Sequence, residues 1–429
     1  MNTAAPFLDL LEHVVDNRGK TCPTATSGTP LIATNCVKES TLFPVFEKVR
    51  YVDEATMSNW FRGHPQPGDI LFVCKGTPGQ TCLVPDPFNF CIAQDMVAVR
   101  ADKDKVYPAY LFAALRSSVV QRQIANMHVG TMIPHFKKGD FDKLLIPLPD
   151  EDTQIAIGDL YLCLSEKIDV NRRMNETLEA QARALFRDWF VDFGPVKANM
   201  AGDTPYLAPD LWSLFPNCLD DDGVPEGWAY STIGTEVDAV GGSTPSTKDA
   251  AYWDGDIAWT TPKDLSGLNS PILLETSRSI TPVGLAKISS GLLPEGTVLL
   301  SSRAPVGYLA ITQIPLAVNQ GYIAMRCEGR ISNYFAYLWA KENMDLILQN
   351  ANGSTFQEIS KKNFRPLPVI VAEKPIHRQF DNMVEPFFEK IVANELENRT
   401  LANTRDLLLP KLMSGEIRVG EAEREIERA

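Results

Sequence analysis

The chain has 429 residues, 44% hydrophobic and 22% charged, and 41 Lys+Arg stand against 54 Asp+Glu for a formal net charge of −13. This length fills several domains of about 100 to 200 residues each, and the composition excludes a disordered chain, a collagen and a disulfide-stapled miniprotein. Net acidity argues at first sight against DNA, whose phosphates need clustered Lys and Arg. The eight cysteines show no CxxC pair and no histidine at zinc-ligand spacing, so they read as reduced thiols of a cytoplasmic protein. No basic start followed by an apolar run and no long apolar stretch occurs, so neither export nor membrane spanning is expected.

In chain order, residues 1–150 are rich in Gly, Pro and Thr, with short β-type runs (DILFVC from Asp69, DMVAVR from Asp95) and one helical stretch from Tyr107 to Met127. They predict a mixed α/β globule. After IPLP (Ile146 to Pro149), Gly and Pro nearly vanish. Apolar and small residues then recur in steps of three and four: Leu160, Leu164, Ile168, Asn171, Asn175, Leu178, Ala182, Leu185, Trp189. That spacing predicts a long helix over 151–193 with a coiled-coil seam. A linker is expected over 194–227, with the acidic run Asp220, Asp221, Asp222. A second α/β globule follows over 228–370 (TVLLSS from Thr297, YIAMR from Tyr322). A second long helix is expected over 371–415, with the seam Met383, Phe387, Ile391, Asn394, Asn398, Leu401, Arg405, Leu408, Leu412, and a charged tail over 416–429. Each helix would run about 55 to 60 Å at 1.5 Å per residue.

The two halves repeat each other. PGDILFVCKGTPG from Pro67 matches EGTVLLSSRAPVG from Glu295 at a shift of 228, with Lys75 on Arg303. AQDMVAVR from Ala93 matches NQGYIAMR from Asn319 at a shift of 226, and from Gly130 on Gly353 to Leu178 on Leu401 the shift is 223. The chain therefore reads as two diverged copies of one unit of about 220 residues. The mid-seam Asn residues either lie just off the seam in solvent or meet across antiparallel helices, Asn171 on Asn398 and Asn175 on Asn394, fixing register.

Catalytic motifs are missing. There is no phosphate-binding GxxxxGK[ST], no GxGxxG after a strand and no HExxH, and PDPF (Pro85 to Phe88) lacks the second adjacent Pro of a methyltransferase DPPY-type turn. Asp150, Glu151 and Asp152 lie at a helix start, where they compensate the dipole rather than hold a metal. Binding residues are better represented. KGTPG (Lys75 to Gly79) and SSRAPVG (Ser301 to Gly307) put a cation and hydroxyls in the same loop of each copy, suited to phosphate contact or to a plain exposed turn. Lys75, Thr77, Ser302 and Arg303 are the candidates there. Lys137, Lys138, Lys361 and Lys362 follow GT and GST turns (Gly130, Thr131; Gly353 to Thr355) and read equally as phosphate ligands or as solvated helix-face lysines, and Lys263 adds a further cation. Gln94 and Gln320 carry amides able either to read base edges or to cap backbone.

The paired GDILF and GTVLL strands with their basic loops, NQGYIAMR, ALFRDWFVDFGPVKAN (Ala184 to Asn199), LFPNCLDDDGVPEGW (Leu214 to Trp228) and TRDLLLPKLMSGEIRV (Thr404 to Val419) together resemble a specificity subunit of a type I restriction-modification enzyme. The likeness spans nearly the whole chain, although the first copy has no PEGW. It implies an α/β (α+β) fold with two target-recognition domains separated by two long antiparallel helices. Each domain would read one half of a bipartite, asymmetric DNA site. The helices would set the gap between half-sites and dock modification subunits, two of them expected. Phe186, Trp189, Phe190 and Leu408 join the four Asn as candidates for helix pairing or partner docking. The chain itself would not be catalytic: S-adenosylmethionine, ATP and magnesium would belong to modification and restriction subunits. Competing readings are a coiled-coil scaffold whose globules bind protein or glycan, and a self-contained DNA methyltransferase or nuclease.

The charge deficit is uneven. Residues 1–150 carry 15 basic and 15 acidic side chains, whereas 200–370 carry 11 and 18. Neither globule is basic, so the isolated chain is expected to hold DNA weakly, with partner subunits supplying much of the phosphate contact.

Overall fold

The computed structural model describes residues 3–17, 19, 21–127, 134–303, 305–353 and 357–417. The turn residues Gly130, Thr131, Ser354 and Thr355 and the tail from 418 lie outside them. The chain forms two compact units, Met1–Asn171 with Glu397–Ala429, and Arg172–Leu396.

In the first unit the buried run Ile70–Val73 pairs antiparallel with Thr81–Leu83 on one side and Met96–Ala101 on the other, and Leu11–Val15 completes a four-stranded sheet. A three-stranded sheet is ordered Arg50–Val52, Thr29–Ile32, Cys91–Ile92, its last pair parallel. Thr3–Pro6 pairs with Leu145–Leu148. Helix Pro108–Arg116 begins with proline in its first turn, where the missing N–H costs no hydrogen bond, and buries Tyr110 to Leu115. Phe7, Phe72, Phe136 and Phe141 interlock beneath it, with ring centroids 5.0 to 5.9 Å apart.

The second unit repeats this plan strand for strand. Asp238–Val240, Tyr322–Arg326, Val298–Ser301 and Leu309–Thr312 follow the same order, with Ile272–Leu273 added at one edge. Arg278–Ile280, Trp253–Thr260 and Leu316–Val318 form the matching three-stranded sheet. Ala229–Thr232 pairs with Pro368–Val371 just as the N-terminal strand pairs in the first unit, so the absence of PEGW there does not change how the fold starts.

The first long helix is Glu151–Phe190. Asp150 caps it by accepting from Thr153 N (3.0 Å), and Glu151 and Asp152 occupy its first turn. It stops three residues short of the expected end. Phe193 adopts a left-handed φ of 53° and Pro195 opens a new helix, Gly194–Ala201. The second long helix is Lys374–Ser414, later in starting than expected because Pro368–Val371 is spent as a strand. Residues 151–171 and 397–414 of the two helices belong to the first unit, and 172–190 and 374–396 to the second.

The segment read as a linker is structured in part. Val196, Phe215 and Val224 are buried in the core of the second unit with Trp189, Phe190, Trp228 and Phe335. Their large apolar side chains outweigh the Gly, Pro and Asp that surround them, because burying them stabilises far more than a solvated loop could. No helix among the described residues is long and apolar enough to cross a membrane.

Candidate nucleic-acid interface

The basic loops are anchored by the same hydrogen bonds in both copies. In the first unit Cys74 N and Lys75 N donate to Asp95 O (2.9 and 3.1 Å), Phe136 N donates to Cys74 O (2.8 Å), and the backbone of Lys75 forms an antiparallel β-bridge with that of His135. In the second, Ser302 N donates to Gly321 O (2.8 Å), Ile359 N donates to Ser302 O (2.9 Å), and the backbone of Arg303 forms an antiparallel β-bridge with that of Glu358. The repeat thus extends from sequence to individual backbone groups. In each unit it brings the loop after the central strand, the turn before the Met96 or Tyr322 strand, and the segment carrying the paired lysines to one place.

In the first unit Lys75, Thr77, Lys137 and Lys138 are all exposed there. Lys138 Nζ pairs with Asp16 (3.0 Å), whereas Lys75 and Lys137 form no ion pair among the described residues. Gly79 lets the loop close: its φ is +91°, and a Cβ there would meet Gln121 Oε1 at 2.9 Å. Gln94 is half-buried, and its Oε1 is shielded from solvent without a hydrogen-bond partner among the described residues, so this oxygen neither caps backbone nor faces a groove. Burial pushes the neighbouring Cys74 thiol up to about 12, which keeps it protonated and inert.

In the second unit Gln320 is exposed and accepts from Thr244 Oγ1 (2.7 Å), and Lys361 and Lys362 are exposed on the short helix Lys361–Phe364. Lys263 is exposed on the short helix Pro262–Leu265. Asp264 there accepts from Thr261 N (2.7 Å) and Ser277 N (3.0 Å). Burial pushes the Asp264 carboxyl up, but these donors outweigh it and hold it below the ordinary carboxylate range. Ser302 corrects the expectation. It is 3% exposed because its backbone is tied on both sides, so its hydroxyl is not presented at the surface.

The residues named for pairing or docking separate into two kinds. In the first unit Asn171 Nδ2 donates to Asn398 Oδ1 (3.0 Å) and Glu397 Oε2 (2.8 Å). In the second, Asn394 Nδ2 donates to Asn175 Oδ1 (2.7 Å), and Asn175 Nδ2 donates to Glu395 Oε1 (2.6 Å). Phe186, Trp189 and Phe190 each face Phe380 of the second long helix, with centroids 5.0 to 6.0 Å apart, and Leu408 is buried in the first unit's core. These four apolar residues are spent inside their own units and are closed to a docking partner, because aromatic and leucine side chains of that size fill the core wherever the helices supply one side of it.

Sequence reasoning passed over Arg278, Trp253 and Trp259. Their signal was the repeat itself, which sets Arg278 on Arg50 at the shift of 228.

Two copies of one α/β unit, each presenting cations on loops hung from a common frame, define an internally duplicated nucleic-acid-recognition protein. The family described as Type I restriction modification DNA specificity domain matches twice, over residues 29–180 and 225–399, and the chain belongs to that family. Its role is DNA sequence recognition. A relative from Haemophilus influenzae, the type I restriction enzyme HindI specificity subunit, is 27% identical over 82% of this chain and 86% of its own length. The MjaIX specificity subunit of Methanocaldococcus jannaschii is 36% identical over 44% of each chain. The crystal structure of a type I restriction-modification S subunit from M. genitalium shares the fold, with a TM-score of 0.55 at 16% identity over 96% of this chain and 95% of that one.

Proposed function

We propose that each unit reads one half of a bipartite, asymmetric DNA site, that the two long helices set the unread gap, and that the chain works in a type I restriction-modification complex in the cytoplasm. The observation that carries this reading is the repeated frame: Lys75 and Arg303 hang from equivalent backbone hydrogen bonds, so both units offer a cation in the same manner. Modification subunits, two of them, supply methyl transfer from S-adenosylmethionine, and restriction subunits supply ATP- and magnesium-dependent cleavage. Since Phe186, Trp189, Phe190 and Leu408 are buried, contact with a modification subunit falls to exposed apolar positions of the helices, such as Val170, Met174, Leu396 and Leu407. Phosphate contacts in this scheme fall to Lys75, Lys137, Lys263, Arg303, Lys361 and Lys362. Co-expression with the cognate modification subunits, followed by genome-wide mapping of methylated bases, tests the proposal. A motif of two unlike halves with a fixed gap is expected, and a single contiguous motif or the absence of methylation would overturn it.

A further inference from the structure

The three-stranded sheet of the second unit carries a feature that its counterpart lacks. Trp253 and Trp259 meet edge to face, centroids 5.0 Å apart, and both are buried, at 6% and 2% exposure. Arg278 lies opposite Trp259 in the antiparallel register. Its guanidinium carbon is 3.6 Å from the Trp253 ring centroid and 5.6 Å from that of Trp259. Unlike the rings, Arg278 is exposed, and it makes no ion pair or side-chain hydrogen bond among the described residues. Both indoles are committed: Trp253 Nε1 donates to Ser246 O (3.0 Å) and Trp259 Nε1 to Ser243 O (3.3 Å). Those carbonyls belong to the loop whose Thr244 bonds Gln320, and Gly242 of this loop packs so closely that a Cβ would meet Val318 O at 1.7 Å. On the other side, Ser277 N bonds Asp264, next to Lys263. Arg278 therefore stands among the candidate DNA-contacting residues on a rigid aromatic seat.

A stacked guanidinium loses little further freedom when it binds, and its fork of N–H donors matches two acceptors in a plane. Guanine O6 and N7 in the major groove form such a pair. The exposed lysines nearby suit phosphates, which ask for charge rather than direction. The first unit holds Arg50 at the same register position, but opposite it stands Leu31 where the second unit has Trp259. The seat is thus a point of divergence between two otherwise matching frames, which is where two unlike half-sites would have to be told apart.

We propose that Arg278, seated on Trp253 and Trp259, reads a guanine in the half-site bound by the second unit; this rests on the reading of the chain as a two-part DNA reader. The test uses the full chain with its cognate modification subunits and maps methylated bases for wild type, Arg278→Gln and Arg278→Lys. The expected result is loss of discrimination at one G·C pair of one half-site by about 10- to 100-fold in both variants, with the other half-site unchanged. Arg278→Lys keeps the charge, so retention of the full motif by this variant would reassign the residue to phosphate contact and overturn the proposal. An unchanged motif in Arg278→Gln, or an equal slowing at all sites, would also overturn it. Failure of the wild-type complex to give a bipartite motif would instead sink the underlying reading, and that outcome is visible before any variant is made.

Discussion

Asn394 donates to Asn175 within a helix pair, and Asn394 is fully buried and Asn175 nearly so. Removing Asn394 strands Asn175 Oδ1 without water, while Asn175 Nδ2 keeps its bond to Glu395. Asn394→Leu is therefore expected to cost about 1 to 3 kcal/mol, and the double variant Asn175→Leu/Asn394→Leu, which also takes a donor from Glu395, to cost less than the two single variants summed, giving a coupling of about 1 kcal/mol in a double-mutant cycle by urea unfolding. His377 is a different case. It lies where the first copy has Gln154. Gln154 accepts from Tyr107 N (3.0 Å) and donates to Pro149 O (2.9 Å), but His377 stacks on Phe190 at 5.3 Å with neither ring nitrogen hydrogen-bonded among the described residues. Burial pushes its imidazole down to about 4. With the folded value below the unfolded one, the unfolded chain takes up the proton first. Stability is full above about pH 6.5 and falls by roughly 3 kcal/mol as pH drops toward 4. His377→Phe is expected to remove that share of the acid loss, read from denaturant midpoints across this range.

At the scale of elements, the long helices were legible because their signal is local: steps of three and four over many turns admit no other structure. The central strands were legible for a similar reason, as in the unbroken apolar run Ile70–Val73. Residues 194–227 were not, because Gly, Pro and Asp read as loop, while the burial of Phe215 depends on Trp189 arriving from another element. The seat under Arg278 escaped notice because it is made by cross-strand register, which sequence spacing does not carry. The helices themselves offer a test. Seven residues inserted in each, between Asn171 and Arg172 and between Leu396 and Glu397, add about 10 Å while turning the helix by only about 20° from register. The mapped gap is then expected to grow by about three base pairs at 3.4 Å each. An unchanged gap would end the idea that the helices act as a ruler.

For the whole molecule, charge is the governing quantity. A chain with net charge −13 has no surplus of cations to draw a polyanion, and exposed cations such as Lys138 are partly held by acids such as Asp16. The purified chain alone is expected to bind its own site only weakly at physiological salt, with affinity and a steep salt slope gained when modification subunits are added. Fluorescence anisotropy across a salt series checks this, and nanomolar, sequence-selective binding by the chain alone would contradict it.

Leu408, Leu409, Leu412 and Met413 complete the same core as Phe7, Phe72 and Phe112. A ribosome that has made the first unit's sheets has therefore not yet made the residues that seal them, whereas the second unit is contained in one continuous stretch, Arg172–Leu396. The part of the chain synthesised first is thus the last to be finished. A stop codon after Leu396 is expected to spare the second unit and loosen the first, so limited proteolysis of that truncation should cut ahead of residue 171. Premature termination near the C-terminus would damage the N-terminal reader.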